Sequence, residues 1–257
     1  MISVCMATYN GERFIKEQID SILSQLTSND ELIISDDGST DRTLSIITSY
    51  CDNRITLLHH QQNPAFAKIK YSRNFYYATS NFENALNNAK GDYIFLSDQD
   101  DVWMPGKVKT LIPLLDEYDC VMCNNQIIDA QGNSIDIFLG EKLPFEKSVF
   151  VNLKRTPFLG CCMVFSRRAM KYLLPFPQNL ICHDLWMGCL CAHYGSIKYI
   201  KTPLHRYRFH EDSVSPSVTT NSKNPFLFKI KYRIIFLYQF LLRILKIKFL
   251  DKDLLCI

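Results

Sequence analysis

Asp98, Asp100 and Asp101 place three carboxylates within four residues, directly after the apolar run 93–96. Adjacent carboxylates repel one another, so folding stability alone gives no reason to gather them at a strand end. A divalent cation does. Mg²⁺ or Mn²⁺ prefers hard oxygen ligands and takes one or two carboxylates together with phosphate oxygens of a substrate. A solvated acidic turn is the alternative that the spacing leaves open.

The elements that must carry this cluster follow from the apolar pattern. Residues 1–7 form a short apolar run with the length and β-branched content of a buried parallel strand, broken by Thr8-Tyr9-Asn10-Gly11. Phe14, Ile15, Ile19, Ile22, Leu23 and Leu26 keep helical spacing over 12–26. A second strand, 30–35, ends in Asp36-Asp37-Gly38-Ser39-Thr40-Asp41, where Ser39 or Thr40 can cap a helix running to residue 50. Residues 55–58 read as a third strand, 63–77 as a polar, aromatic segment with Lys68, Lys70 and Arg73, and 81–89 as a helix leading to the strand before the acidic cluster. This β-α-β alternation predicts a mostly parallel sheet with right-handed crossovers. Such sheets bind ligands beyond the carboxyl ends of their strands, so Thr8-Tyr9-Asn10, Asp36-Asp37-Gly38 and Asp98–Asp101 should meet at one cleft edge.

The second half is expected to contain a helix at 107–118, a strand at 120–124 and an irregular stretch over 126–150. After these come a strand at 158–166 entered through Gly160, a short helix at 167–174 stopped by Pro175, an apolar helix from residue 182 to about 194, and a strand at 197–200. Residues 204–215 are dense in Arg, His and Tyr.

The chain has 257 residues, 47% of them hydrophobic, enough for a sizeable core, and a net charge of +3, too small to imply a polyanion partner. The sequence contains no GxGxxG, no GxxxxGK[ST] and no GxSxG, so dinucleotide, P-loop and nucleophile-elbow chemistry is unsupported. No basic stretch followed by an apolar one opens the chain, so the ten cysteines are expected as reduced thiols, and Cys120-Val121-Met122-Cys123 reads as buried strand rather than a zinc knuckle. Residues 224–250 are rich in Phe, Ile and Leu with interspersed Lys and Arg, and the longest uncharged run, 234–242, is nine residues. A membrane-spanning helix needs about 20. An interfacial helix that meets anionic headgroups is expected instead, with packing on its own domain or a partner as the alternative.

Three stretches carry a family resemblance: Ser3-Val4-Cys5-Met6-Ala7-Thr8-Tyr9-Asn10-Gly11, Asp30–Asp41, and Gly91-Asp92-Tyr93-Ile94-Phe95-Leu96-Ser97-Asp98-Gln99-Asp100-Asp101-Val102-Trp103. In this order they resemble family 2 glycosyltransferases, the last being similar to that family's DxD variant, and most of all a bacterial rhamnosyltransferase-like branch. The resemblance implies a GT-A fold, an α/β Rossmann-like, mostly parallel sheet flanked by helices. This would occupy 1–220, with a nucleotide-sugar half at 1–105 and an acceptor half at 106–220, followed by a basic, apolar helical tail at 221–257. It implies a nucleotide-diphospho-sugar donor, with Ala7 among the residues that bind it, Tyr9 against the base, Asp37 on the uracil or thymine edge, Asp98 on the ribose side and Arg73 on the diphosphate. Asp100 would hold Mg²⁺ or Mn²⁺ and Asp101 would lie near the sugar or the metal. The family's catalytic base sits in a Glu-Asp pair at a helix start; here the pair is His183-Asp184, so Asp184 keeps the base position and His183 departs from the pattern. His210, in a segment resembling Tyr-Arg-x-His, is implied as a further metal ligand. The processive QxxRW motif is missing, which implies transfer of a single sugar.

Each residue has a bland reading beside the implied one. Asp184 can be a helix N-cap, His210 and His205 structural histidines, Arg73 a solvated cation, Trp103 core packing, and Asp36 the start of an Asp-Gly turn. The expected function is inverting, metal-dependent transfer of one sugar to a lipid-linked glycan acceptor in bacterial surface polysaccharide synthesis. The expected place is the cytoplasm, on the inner face of the cell membrane, with the surface touched through 224–250 and no nucleic acid partner. The alternative is a catalytically silent nucleotide-sugar-binding or scaffold subunit.

Overall fold

The computed structural model describes residues 1–135, 145–211 and 224–254, the side chains of 249–254 excepted. The expected boundary at 220 and 221 lies outside the described residues, as do 136–144 of the irregular stretch and 212–215 of the Arg-, His- and Tyr-rich one.

The first half alternates as expected: β1 (Ile2–Thr8), α1 (Ile15–Leu23), β2 (Glu31–Asp36), α2 (Thr43–Thr48), β3 (Ile55–His59), α3 (Arg73–Asn88) and β4 (Tyr93–Asp98). Val4, Cys5, Met6, Leu32, Ile33, Ile34, Ile94, Phe95 and Leu96 are fully or almost fully buried, because helices cover both faces of these parallel strands. The second half adds β5 (Val102–Trp103), α4 (Lys107–Leu111), β6 (Cys120–Ile128), α5 (Val149–Arg155), β7 (Met163–Ser166), α6 (Arg167–Leu173), α7 (His183–Tyr194), β8 (Ile197–Arg208) and α8 (Phe226–Leu254).

One sheet runs in the order β3-β2-β1-β4-β7-β6-β8-β5. Among the described residues β1 to β4 pair in parallel, as do β6 and β8, while β7 is antiparallel to both of its neighbours and β5 is antiparallel to β8. The sheet is therefore mixed, with the parallel half carrying the first three polar strand ends. This is the mixed α/β GT-A architecture, one sheet flanked by helices with a helical C-terminal segment.

Several bounds differ from expectation for identifiable reasons. α3 begins at Arg73, eight residues early, because Tyr76 and Tyr77 pack on Phe66 although Asn, Ser and Tyr are weak helix formers. The helix expected over 107–118 ends at Leu111, where Pro113 turns the chain into the 3₁₀ segment Ile112–Asp116. Neither Ser39 nor Thr40 caps α2; Asp41 accepts from the Thr43 N–H instead. β6 runs on to Ile128, so the stretch expected as irregular begins as strand and later holds α5. Gly160 lies in a 3₁₀ turn, Gly160–Cys162, and the strand starts only at Met163. β8 spans 12 residues, hidden in the sequence by Pro203 and by register shifts opposite Asn124.

Candidate active site

The strand ends converge through specific bonds. Gln99 ties β4 to β1: its Oε1 accepts from the Tyr9 N–H at 2.9 Å and its Nε2 donates to the Tyr9 carbonyl at 3.0 Å. Asn10 ties β1 to the loop after β2, accepting from the Thr40 N–H and donating its own N–H to Ser39. Asp36 is the turn former it was read as, since Oδ1 accepts from the Gly38 and Ser39 N–H groups. Asp37 is buried and accepts at 2.6 Å from His60 Nδ1 and at 2.8 Å from Gln62 Nε2. Tyr9 is half exposed above this floor. Ala7 stands directly beside Asp98 in register. Asn81 donates to the Thr8 carbonyl at the end of β1, so Arg73, about two turns earlier on α3, lies outside the strand ends, exposed.

Asp100 and Asp101 occupy the loop between β4 and β5, and β5 pairs with β8, so the acidic loop is held against the end of β8. His210 Nε2 lies 2.8 Å from Asp100 Oδ2. Burial raises the Asp100 carboxyl above the usual range, opposed by the bond to His210 and reinforced by the charge of Asp101. A carboxylate and an imidazole side by side, with surplus negative charge around them, fit a Mg²⁺ or Mn²⁺ ion.

Asp101 is next to Asp100 in this loop. It is 1% exposed, and both of its oxygens are engaged within the protein, Oδ2 with His205 Nε2 at 2.7 Å and Oδ1 with the Arg208 N–H at 2.8 Å. Lys107 continues the chain: its ammonium lies 3.1 Å from His205 Nδ1, donates to the Cys161 carbonyl at 2.7 Å and sits 4.4 Å from the Trp103 ring centre. Asp101, Cys161 and His205 bring possible ligand atoms within 4.8 Å of one another. The Lys107 ammonium lies at the edge of this group. Arg208 closes the arrangement by donating to the Asp100 carbonyl and to Glu17 at 2.6 Å.

His205 is buried, and burial together with the Lys107 charge pushes it down from 6.5 to about 4, against the pull of Asp101. A folded value below the unfolded one means that the unfolded chain binds this proton first. Stability should therefore be lost as pH falls from about 6.5 toward 4, by up to roughly 3 kcal/mol from this group. Urea denaturation at pH 7.5 and pH 5 reads it: the wild type should lose stability that a His205→Gln variant does not, and parallel losses would contradict the assignment.

The second half delivers Asp184 to the same place. Asp184 sits in the first turn of α7, and its charge is among those raising the Asp98 carboxyl, after burial, Asp101 and Asp100. The bridge is the turn Gly160-Cys161: the Cys161 thiol hydrogen bonds to Asp98, and the Gly160 backbone bonds to Asp184. Burial alone would raise Asp184, but His183 Nε2 at 2.7 Å from Oδ1 and the Gly160 bond hold it below the usual carboxylate value. Asp98 is pushed up and Asp184 down, so their environments set the two carboxyls apart. Asp184 is not an N-cap in the structure; Cys182 occupies that position.

Gly160 is required by this contact. A Cβ there would stand 2.2 Å from Asp184 Oδ1, so Gly160→Ala must displace the carboxylate. A shift of about 1 Å in a reacting group costs on the order of 10²-fold in rate. Gly160→Ala is expected to lower turnover by about that factor with little change in nucleotide-sugar affinity; steady-state kinetics with direct binding measurement checks both.

Gln99, His60, Gln62, Gly160, Cys161, Lys107 and Arg208 support the site although the sequence did not single them out for it. Gln99, inside the acidic cluster, and Arg208, inside the Tyr-Arg-x-His segment, carried a local signal.

The family model Glycosyl transferase family 2 matches residues 3–174. Escherichia coli UDP-Glc:alpha-D-GlcNAc-diphosphoundecaprenol beta-1,3-glucosyltransferase WfgD is 27% identical over 218 residues, covering 84% of this chain and 79% of the relative. An uncharacterized glycosyltransferase of Rickettsia felis is 24% identical over 87% of this chain and 36% of its own length. The chain spans 36% of this relative and of a Rickettsia conorii one, and 64% of a Rickettsia typhi one. Among solved structures, S. aureus TarS 1–349 in complex with UDP-GlcNAc superposes with a TM-score of 0.62 at 18% identity, covering 93% of this chain and 72% of that one. The mannosyltransferase PcManGT from Pyrobaculum calidifontis, in complex with GDP-Man and Mn²⁺, gives 0.59 at 18% identity, covering 90% and 68%. The structural likeness establishes the shared fold, and the family model covers both the acidic strand end and the Gly160 turn that joins it to the second half; the chain belongs to glycosyl transferase family 2.

Proposed function

We propose that this chain transfers one sugar from a nucleotide-diphospho-sugar to a lipid-linked glycan acceptor, with inversion at the anomeric carbon. The observation that carries the reading is the meeting of Asp184 with the carboxylates after β4, bridged by Gly160 and Cys161. The acceptor hydroxyl oxygen forms a bond to the anomeric carbon as the bond from that carbon to the diphosphate oxygen breaks. The hydroxyl proton passes to Asp184, and the nucleoside diphosphate leaves with the bonding electrons. Mg²⁺ or Mn²⁺, held by Asp100 and His210, would stabilise the charge that grows on the diphosphate. Tyr9 and Asp37 face the base, Ala7 and Asp98 line the ribose side, and Arg73 reaches the diphosphate from α3. Asp101 acts by holding the loop and not by touching the sugar. WfgD, by its name, uses a diphosphoundecaprenol acceptor, which supports a lipid-linked acceptor here and a role in bacterial surface polysaccharide synthesis. Release of nucleoside diphosphate from a panel of nucleotide sugars with Mn²⁺, with and without lipid-linked glycan, tests the reading. Binding without release under every condition would favour a silent scaffold.

The last helix supports a membrane-side acceptor. α8 sorts its residues by face: Phe236 and Phe240 are buried against Trp186, and Arg233 and Arg243 turn inward to backbone carbonyls of Leu153 and of Tyr172 and Leu174. The expectation of packing on its own domain is thus met on one face. The opposite face carries Leu227, Ile234, Tyr238, Leu241 and Leu245, all more than half exposed, in one stripe flanked by exposed Lys231, Lys246 and Lys248. Among the described residues no helix is long and apolar enough to cross a membrane. The stripe with its lysines suits an anionic bilayer surface, on the inner face of the cell membrane. A cavity of about 160 Å³ between α8 and residues 178–185, lined by Ile181, Cys182, Leu185, Ile235 and Phe236, lies beside the start of α7 and offers apolar wall to the acceptor's lipid.

Replacing Ile234, Leu241 and Leu245 by Ser should abolish sedimentation with phosphatidylglycerol vesicles while leaving donor hydrolysis intact. Unchanged sedimentation would refute the surface role.

A further inference from the structure

His183 is the residue at which this chain departs from the Glu-Asp pair, and the structure gives it a defined place. Its ring is buried with its centre 4.3 Å from that of Phe82 and 6.5 Å from that of Phe176, so neither face can turn. Nε2 lies 2.7 Å from Asp184 Oδ1. Nδ1 lies 3.3 Å from Thr79 Oγ1, which itself donates to the Ile181 carbonyl at 3.1 Å. With its one hydrogen on the Ile181 carbonyl, the Thr79 hydroxyl can only accept from Nδ1–H, so the ring presents an N–H to Asp184 as well only in its imidazolium form. Asp184 Oδ1 is also the oxygen nearest Gly160, whose Cβ would stand 2.2 Å from it and 3.2 Å from Oδ2. Oδ1 is therefore packed between His183 and Gly160, in ion-pair contact with the ring and without a hydrogen bond of its own.

We propose that His183 is the positioning residue of the base: its Nε2, 2.7 Å from Oδ1, holds the Asp184 carboxylate in place by charge contact so that it can meet the acceptor hydroxyl. This rests on the reading of Asp184 as base. A neighbouring carboxylate, as in the Glu-Asp pair, brings a like charge to this contact, whereas a histidine can bring an opposite one. The other titratable or charged groups around the pair are Asp98 at the end of β4, Cys182 next in the chain, and Glu83 of α3 with Arg243 of α8 on the outer side. Glu83 is occupied with the Phe176 N–H, which leaves His183 as the cation-capable donor on Asp184.

The test uses the full chain with its nucleotide sugar, Mn²⁺ and acceptor, and the variants His183→Ala, His183→Gln and Thr79→Val, each checked for fold by circular dichroism. His183→Ala should lower kcat by about 10- to 100-fold with KM for the nucleotide sugar within twofold. The acid limb of the kcat profile should move to higher pH, because Asp184 loses the donor that holds it down. Glutamine should recover part of kcat through its amide N–H but keep the displaced limb, and Thr79→Val should fall between. Wild-type kcat and limb in His183→Ala would overturn the proposal, as would a loss of kcat with an unmoved limb in every variant. A readout independent of transfer separates this from failure of the functional reading. In protein labelled with carbon-13 aspartate, the Asp184 carboxyl should titrate at higher pH in His183→Gln than in the wild type, and an unchanged midpoint overturns the proposal even if no acceptor is found.

Discussion

Asp184→Asn should reduce kcat by about 10³-fold while nucleotide-sugar binding and its Mn²⁺ dependence stay as in the wild type. A positioned general base contributes about 10²- to 10⁴-fold, and an amide of the same shape cannot take a proton. The carboxylate is held ionised by His183 and the Gly160 bond despite its burial, so the wild type has its base ready at neutral pH and the variant never does. Because the proposed base acts on the acceptor and not on the donor, isothermal titration with the nucleotide sugar should barely change. A variant with tenfold or smaller loss would remove Asp184 from the chemistry and return it to a structural part of the α7 start.

Asp100→Ala should have an effect of similar size and different character. The charge that grows on the departing diphosphate needs a compensating cation, and removal of one preorganised electrostatic partner costs about 10²- to 10³-fold. The loss should appear with a rise in the Mn²⁺ concentration needed for half-maximal activity, which Asp184→Asn should not show. His210→Ala should shift the same concentration in the same direction, since its ring lies 2.8 Å from the Asp100 carboxylate. An Asp100→Ala protein with undiminished turnover and unchanged Mn²⁺ response would place the metal elsewhere, and the Asp101, Cys161 and His205 group would then have to be reconsidered.

How far the sequence alone reaches differs between the two halves. The parallel strands β1, β2 and β4 were legible because burial on both faces leaves near-continuous apolar runs, and their polar ends stand out against them. The convergence of Tyr9, Asp37 and Asp98 follows from that topology. The resemblance paired Asp100 with His210 across more than a hundred residues, and the structure brings the two side chains together. The second half was less legible. β8 reads as two pieces because Pro203 and the irregular register interrupt it. Lys107 is wholly buried between His205, Cys161 and Trp103, a place that no local pattern assigns to a lysine. Asp101 looked like a member of the acidic site, but only the fold shows that β8 takes up both of its oxygens. The cations of the tail were unreadable for the opposite reason: Arg233 and Arg243 cap carbonyls on the inner face, which blurs the amphipathic pattern that the outer face carries. Gly160 gave a strand-entry signal, and its actual task, leaving room for Asp184, depends on a residue 24 positions further along the chain.

The most direct measurement is nucleoside diphosphate release from nucleotide sugars by the wild type, Asp100→Ala and Asp184→Asn, with Mn²⁺ and with EDTA, in the presence of lipid-linked glycan. The wild type should release nucleoside diphosphate in step with glycosylated acceptor, and EDTA and either substitution should each suppress it by at least about 10²-fold. Acceptor-coupled release that persists in both variants would contradict a site built from the β4 carboxylates and Asp184.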